Sequence, residues 1–170
     1  YQQALNDYNK AIELDPKDAV AYFKRGFVYW KSGNYQQALT DYNEAIQLNP
    51  KDAGAYLGRG IVYNDLGNKR QALNDYSKAL ELDLIEAEVY YNRGIVHGDL
   101  GNNQQALSDF NKALELNPNY TEAYNNRGIV YMKLAFYHRA LNDFSKAIEL
   151  NPINAEAYNN RGIVHGLFGD

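Results

Sequence analysis

The chain has 170 residues, 17 Lys and Arg against 21 Asp and Glu, and a formal net charge of −4. Its basic residues are spread among the acidic ones rather than gathered on one stretch, which argues against a nucleic-acid partner, since phosphate neutralisation needs clustered positive charge. The absence of cysteine removes disulfides, thiolate metal sites and cysteine nucleophiles. No apolar run approaches the roughly 20 residues of a membrane span, and no secretory leader pattern is visible.

Taken in chain order, Tyr1–Leu14 places Leu5, Tyr8, Ala11 and Ile12 at helical spacing, and Asp15-Pro16 ends that helix. A second helical pattern follows, with Tyr22, Gly26 and Tyr29 at i, i+4 and i+7 on one face. Gly33-Asn34 stops it, because Gly accepts the left-handed conformation of a helix end. A third pattern carries Ala38, Tyr42 and Ala45 and closes at Asn49-Pro50.

Everything then recurs with a period of 34 residues. Tyr56, Tyr90, Tyr124 and Tyr158 repeat Tyr22, and Gly60, Gly94, Gly128 and Gly162 repeat Gly26. Ala72, Ala106 and Ala140 repeat Ala38. The period predicts a half repeat at 1–18 (second helix only) and complete repeats at 19–52, 53–86, 87–120 and 121–154. A half repeat at 155–170 (first helix only) completes the chain. Glycine inside a helix is about 1 kcal/mol worse than alanine, so a column of such glycines predicts that another helix packs closely there.

These residues resemble the tetratricopeptide repeat family over the whole chain: a 34-residue period, an aromatic–Gly–Tyr first helix, an Ala–aromatic–Ala second helix and a terminal Pro. The resemblance implies an all-α fold, a right-handed superhelical solenoid of antiparallel helix hairpins whose first helices line a concave groove. It also implies a non-catalytic interaction scaffold, a protein or peptide partner and a cytoplasmic default. Three departures stand out. An Arg column (Arg25, Arg59, Arg93, Arg127, Arg161) replaces an apolar position, Ala135-Phe136 replaces one Gly-Asn turn, and Leu84 replaces one Pro. Without that Pro, the helix at 69–82 is expected to run on slightly or the junction to soften.

The Arg column recurs in step with Asp7, Asp41, Asp75, Asp109 and Asp143. Counting outward from the turns sets Arg25 level with Asp41 in its own hairpin and with Asp7 in the preceding helix, which predicts an Asp–Arg ladder between helices.

A different stripe is expected to face the groove. It comprises Phe23, Phe27 and Trp30, then Leu57, Ile61 and Asn64, then Tyr91 and Ile95, then Asn125, Ile129 and Met132, and finally Asn159 and Ile163. Either an extended peptide or helix lies along it, with Asn64, Asn125 and Asn159 bonding its backbone, or the Ile row is consumed by packing between neighbouring first helices. Some family members clamp acidic chaperone tails with Lys and Asn. Here those sites hold Phe23, Phe27, Leu57, Tyr91 and Ile95, so that function is not carried over.

No catalytic group, metal site or cofactor is nominated. His97 and His165 share a column with Tyr29, Tyr63 and Tyr131 and read as packing residues. His138 lies in a polar segment, and Asn119-Tyr120-Thr121 matches a glycosylation sequon. A second function is suggested by the end phases. Leu5, Asp7, Tyr8, Ala11 and Ile12 at one end complement Tyr158, Arg161, Gly162 and His165 at the other. Arrays joined head-to-tail through these faces would form a filament, although a segment cut from a longer array carries the same two halves.

Overall fold

The computed structural model describes residues 1–168 and contains ten α-helices and no strand among them. They are α1 (Gln2–Leu14), α2 (Ala19–Lys31), α3 (Tyr35–Leu48), α4 (Ala53–Asp65) and α5 (Lys69–Glu81), then α6 (Ala87–Asp99), α7 (Asn103–Leu116), α8 (Thr121–Lys133), α9 (Tyr137–Leu150) and α10 (Ala155–Phe168). The helices group into two compact units, Tyr1–Ile85 and Glu86–Asp170.

In the first unit α2 pairs with α3 and α4 with α5, while α1 and α3 lie against the first helix that follows each. In the second unit α6 pairs with α7 and α8 with α9, and α10 packs against α9 and α8. A second helix is thus held between two first helices. The interior is built from small residues facing one ring: Ala38, Tyr42 and Val62 in the first unit, Ala106, Phe110 and Val130 and then Ala140, Phe144 and Val164 in the second.

Local chemistry fixes the boundaries. Asp18 Oδ1 accepts from the backbone N–H of Val20 and Ala21, and Asp52 Oδ1 from that of Ala55, which satisfies donors a helix start leaves unpaired. Gly33, Gly67 and Gly101 end their helices at φ near 78°. Ala135 takes the same place at φ 59°, so the turn survives with a residue that meets a steric penalty there. Ala135→Gly should therefore stabilise the chain by about 1 kcal/mol, read as a rise in thermal midpoint. No rise would mean that the turn relaxes around alanine.

The expected run-on at Leu84 does not occur. Helix α5 stops at Glu81, Asp83 turns left-handed at φ 64°, and the Leu84 N–H bonds back to the Ala79 carbonyl at 3.1 Å. Aspartate tolerates this conformation better than most residues, so a backbone cap takes the place of the missing proline. The face receiving the second helix is also composed differently from the sequence expectation. Gly26 is buried, but Tyr22 and Tyr29 are only half-buried, and the interior column is Ala21 and Val28 with their counterparts Ala55 and Val62, Val89 and Val96, Ala123 and Val130, Ala157 and Val164.

Candidate protein-binding surface

The arginine column sets how the helices are oriented. Arg25 donates from Nε and Nη2 to the two carboxylate oxygens of Asp41 at 2.8 and 2.7 Å. Arg59 holds Asp75, Arg93 holds Asp109 and Arg127 holds Asp143 in the same bidentate way. Each of these aspartates is buried, and the hydrogen bond from its arginine favours the charged guanidinium.

The second half of the expected ladder is corrected. Arg25 Nη1 donates at 2.7 Å to Asn9, not to Asp7, and Arg59 and Arg127 likewise reach Asn43 and Asn111. The helix crossing brings the residue two positions past the aspartate into reach. A neutral amide oxygen accepts the remaining N–H, where a further carboxylate would repel the Asp already bound. The conspicuous tyrosines complete the clamp: the Arg25 guanidinium lies 5.5 Å from the Tyr22 ring and 5.9 Å from Tyr29, and Arg127 lies as close to Tyr124 and Tyr131.

His97 occupies a tyrosine place beside Arg93, with Nε2 4.0 Å from Asp109 Oδ2. Burial lowers its pKa from 6.5, and Arg93 adds to this while Asp109 opposes it. The folded state therefore binds fewer protons than the unfolded chain. Its contribution is complete above pH 6.5 and is lost as the pH falls through the lowered value. His97→Tyr should flatten the stability profile between pH 7 and 5 relative to the parent chain. Parallel profiles for the two proteins would remove His97 from the account.

In the first unit the expected groove residues form a partly exposed aromatic group. Phe27 is 43% exposed and meets Trp30 edge-on at 5.6 Å. Trp30 Nε1 donates to Asp65 Oδ2 at 2.8 Å, and Lys31 Nζ lies 4.2 Å from the indole centroid. Phe23 leans on Tyr42 at 5.9 Å. Leu57 and Ile61 are half-buried, and Asn64 Oδ1 accepts from Lys69 Nζ.

Sequence reasoning missed why Gly58 stands where unit 2 has Asn126 and Asn160. A Cβ there would lie 2.6 Å from Tyr42 Cζ and 2.8 Å from its hydroxyl. In the second unit the rings opposite Asn126 and Asn160 are Phe110 and Phe144.

In the second unit Tyr91 packs at 4.6 Å on Tyr120 and 6.1 Å from Phe110, and its hydroxyl accepts from Asn126 Nδ2 at 3.0 Å. Ile95, Ile129 and Met132 are half-buried against the core, while Asn159 and Ile163 are exposed. Asn125 departs from expectation. It is buried, and its oxygen accepts from Asn160 Nδ2 at 3.1 Å, so this amide ties α8 to α10 instead of facing a ligand.

Of the residues expected at the ends, Leu5, Tyr8, Ala11 and Ile12 are half-buried and Asp7 is exposed. Tyr158, Gly162 and His165 are exposed on α10, and Arg161 packs on Tyr158 and donates to Ser145 Oγ at 3.3 Å. Among the described residues no cluster of His, Asp and Glu has the arrangement of a metal site, and no helix is long and apolar enough to cross a membrane.

Helical hairpins stacked on a 34-residue period define a repeat scaffold that presents side chains from its first helices. Models of the tetratricopeptide repeat match residues 19–52, 53–83, 87–120 and 121–154, and a TPR repeat model matches residues 1–33. The chain belongs to the tetratricopeptide repeat family. Among solved structures it is similar to YrrB, described as a TPR protein with an unusual peptide-binding site, at 29% identity and TM-score 0.82 over 95% of this chain and 84% of that one. It is also similar to MamA at 26% identity and TM-score 0.81, over 89% of this chain and 82% of that one. The thermophilic TPR protein TTC0263 of Thermus thermophilus shares the fold at 22% identity and TM-score 0.74, covering 94% of this chain and 88% of that one. No curated protein matches the chain.

Proposed function

We propose that the chain is a non-catalytic scaffold that binds a peptide or partner protein along the stripe of its first helices. The observation that carries this is the Phe27–Trp30–Lys31 group, where two rings and a cation remain partly open to solvent although Asp65 fixes the indole from the neighbouring helix. A pre-ordered aromatic surface costs little entropy to dock against, and aromatic anchors dominate binding energy at protein interfaces. The likeness to a peptide-binding relative supports the same reading.

Trp30 is the only tryptophan, so its emission reports binding in the first unit directly. Peptides selected on an array should shift that emission, and Phe27→Ala should weaken them about tenfold while leaving the thermal midpoint in place. An array without a single peptide that moves Trp30 emission would refute the proposal for this unit.

Self-association through complementary faces is a second reading, supported by one set of observations. The other four arginines of the column grip an aspartate, whereas Arg161 meets the Ser145 hydroxyl. A Cβ at Gly162 would touch nothing within 4 Å, and Asp7 is exposed. Helix α1 of a second copy would bring Asp7 to Arg161 and Tyr8 to Gly162, as α9 brings Asp143 and Phe144 to Arg127 and Gly128. Sedimentation over a wide concentration range tests this. Concentration-dependent growth that Asp7→Ala abolishes is the expected result, and a single monomeric species throughout sinks it.

A further inference from the structure

The second unit carries a cleft of about 150 Å³ between α6 and α8, lined by Ile95, Ile129, Val130 and Phe110, with Asp99 and Asn126 at its polar edge. Gly98 also lines it, and a Cβ there would stand in ordinary contact, 3.8 Å from Val130. Lys133 is the basic residue on its lining.

On the same helical stripes, toward the helix starts, stand three exposed carboxylates. Glu88 lies one turn before Tyr91, Glu122 one turn before Asn126 and Glu156 one turn before Asn160. Tyr91 connects them to the cleft. Its hydroxyl accepts from Asn126, which lines the cleft, and burial together with Glu122 and Glu156 raises its pKa. Tyr120, stacked on Tyr91, is raised by burial and then by Tyr91, Glu88 and Glu122. In the first unit the same column holds Val20 and Gly54 and offers no charge.

We infer that the second unit selects a peptide in which an apolar side chain lies one or two residues from a lysine or arginine, the apolar group entering the cleft between Ile95 and Ile129 and the cation meeting Glu88 and Glu122. The inference rests on the groove reading above and adds the chemistry of the partner. Its reach is consistent. Glu122 precedes Ile129 by seven positions, about 10 Å along a helix at 1.5 Å per residue. Two residues of extended peptide cover about 7 Å, and a lysine or arginine stem spans the rest. An acidic peptide of the same shape would set like charges together, so the row rejects as well as attracts. The contribution is screened by salt, because the carboxylates are exposed.

The test uses the intact chain and three short fluorescein-labelled peptides that alternate leucine with lysine, leucine with glutamate, and serine with lysine. The leucine–lysine peptide should bind best and weaken as salt is added. It should bind about tenfold more weakly to the pair Glu88→Gln and Glu122→Gln. The pair Glu115→Gln and Glu149→Gln removes the same charge from α7 and α9, where both carboxylates engage a lysine one turn away, and should leave binding unchanged. Equal losses in the two double variants would reduce the effect to overall charge and overturn the inference, as would equal binding of the serine–lysine peptide. If the leucine–glutamate peptide binds equally well and is lost with Ile129→Asn, the groove stands and its charge preference falls. If no peptide of any charge binds, the groove reading of this unit falls with it.

Discussion

Replacing Arg127 with methionine should destabilise the chain by about 3–5 kcal/mol, and adding Asp143→Leu should recover most of that loss. The asymmetry follows from burial. Asp143 is 5% exposed and both its oxygens are bonded to Arg127, at 2.8 and 2.6 Å. Removing the guanidinium leaves a carboxylate in the interior with its desolvation uncompensated, which costs more than the pair itself contributes. Methionine retains most of the arginine stem's packing between Tyr124 and Tyr131, so the lost charge dominates the measurement. The double variant then replaces an ion pair with two apolar side chains of similar size. Urea denaturation midpoints of the three proteins decide the matter. Equal destabilisation by the single and double variants would show that the arginine acts through packing alone.

The same pair shows how far the sequence carries the structure. A 34-residue period with Gly-Asn and Asn-Pro punctuation determines where helices begin and end, because those signals act on the chain locally. It also identifies Asp41 as the partner of Arg25, since the two lie at equal distance from one turn. The Asn9 contact was not legible. It depends on the angle at which α1 crosses α2, and counting along helices assumes none. The valine interior was overlooked for a related reason. Glycine and tyrosine are conspicuous in a helix, yet Tyr22 and Tyr29 serve the arginine while Val28 and Val62 fill the core.

The candidate surface was legible as a stripe but not as degrees of exposure. Phe27 and Ile163 stand out to solvent, Ile61, Ile95 and Ile129 are half-covered, and Asn125 is withdrawn altogether by Asn160. Those differences arise from which neighbour each helix meets. A repeat writes nearly the same letters at every position, so the environments diverge where the letters do not.

Gly128→Ala and Gly162→Ala should change stability in opposite directions although they are the same substitution in the same column of the repeat. Alanine gains about 1 kcal/mol over glycine within a helix. At Gly128 the new Cβ would stand 2.7 Å from Cε1 of Phe144 and 3.0 Å from two further ring carbons. That ring is wholly buried, so it cannot swing aside, and overpacking should leave a net loss of about 2 kcal/mol. Phe144→Leu in the same chain should recover part of that loss by vacating the ring edge. At Gly162 nothing lies within 4 Å, so the helical gain stands alone and the thermal midpoint should rise by about 3 °C. Equal effects at the two sites would mean that the Phe144 ring does not set the cost of a side chain at Gly128. The second site also separates the two readings of this chain. If a second copy seats Tyr8 over Gly162, alanine there should stabilise the monomer and weaken its association in the same experiment. If the chain only holds a peptide on its first-helix stripe, the same stabilisation should appear with no loss of association.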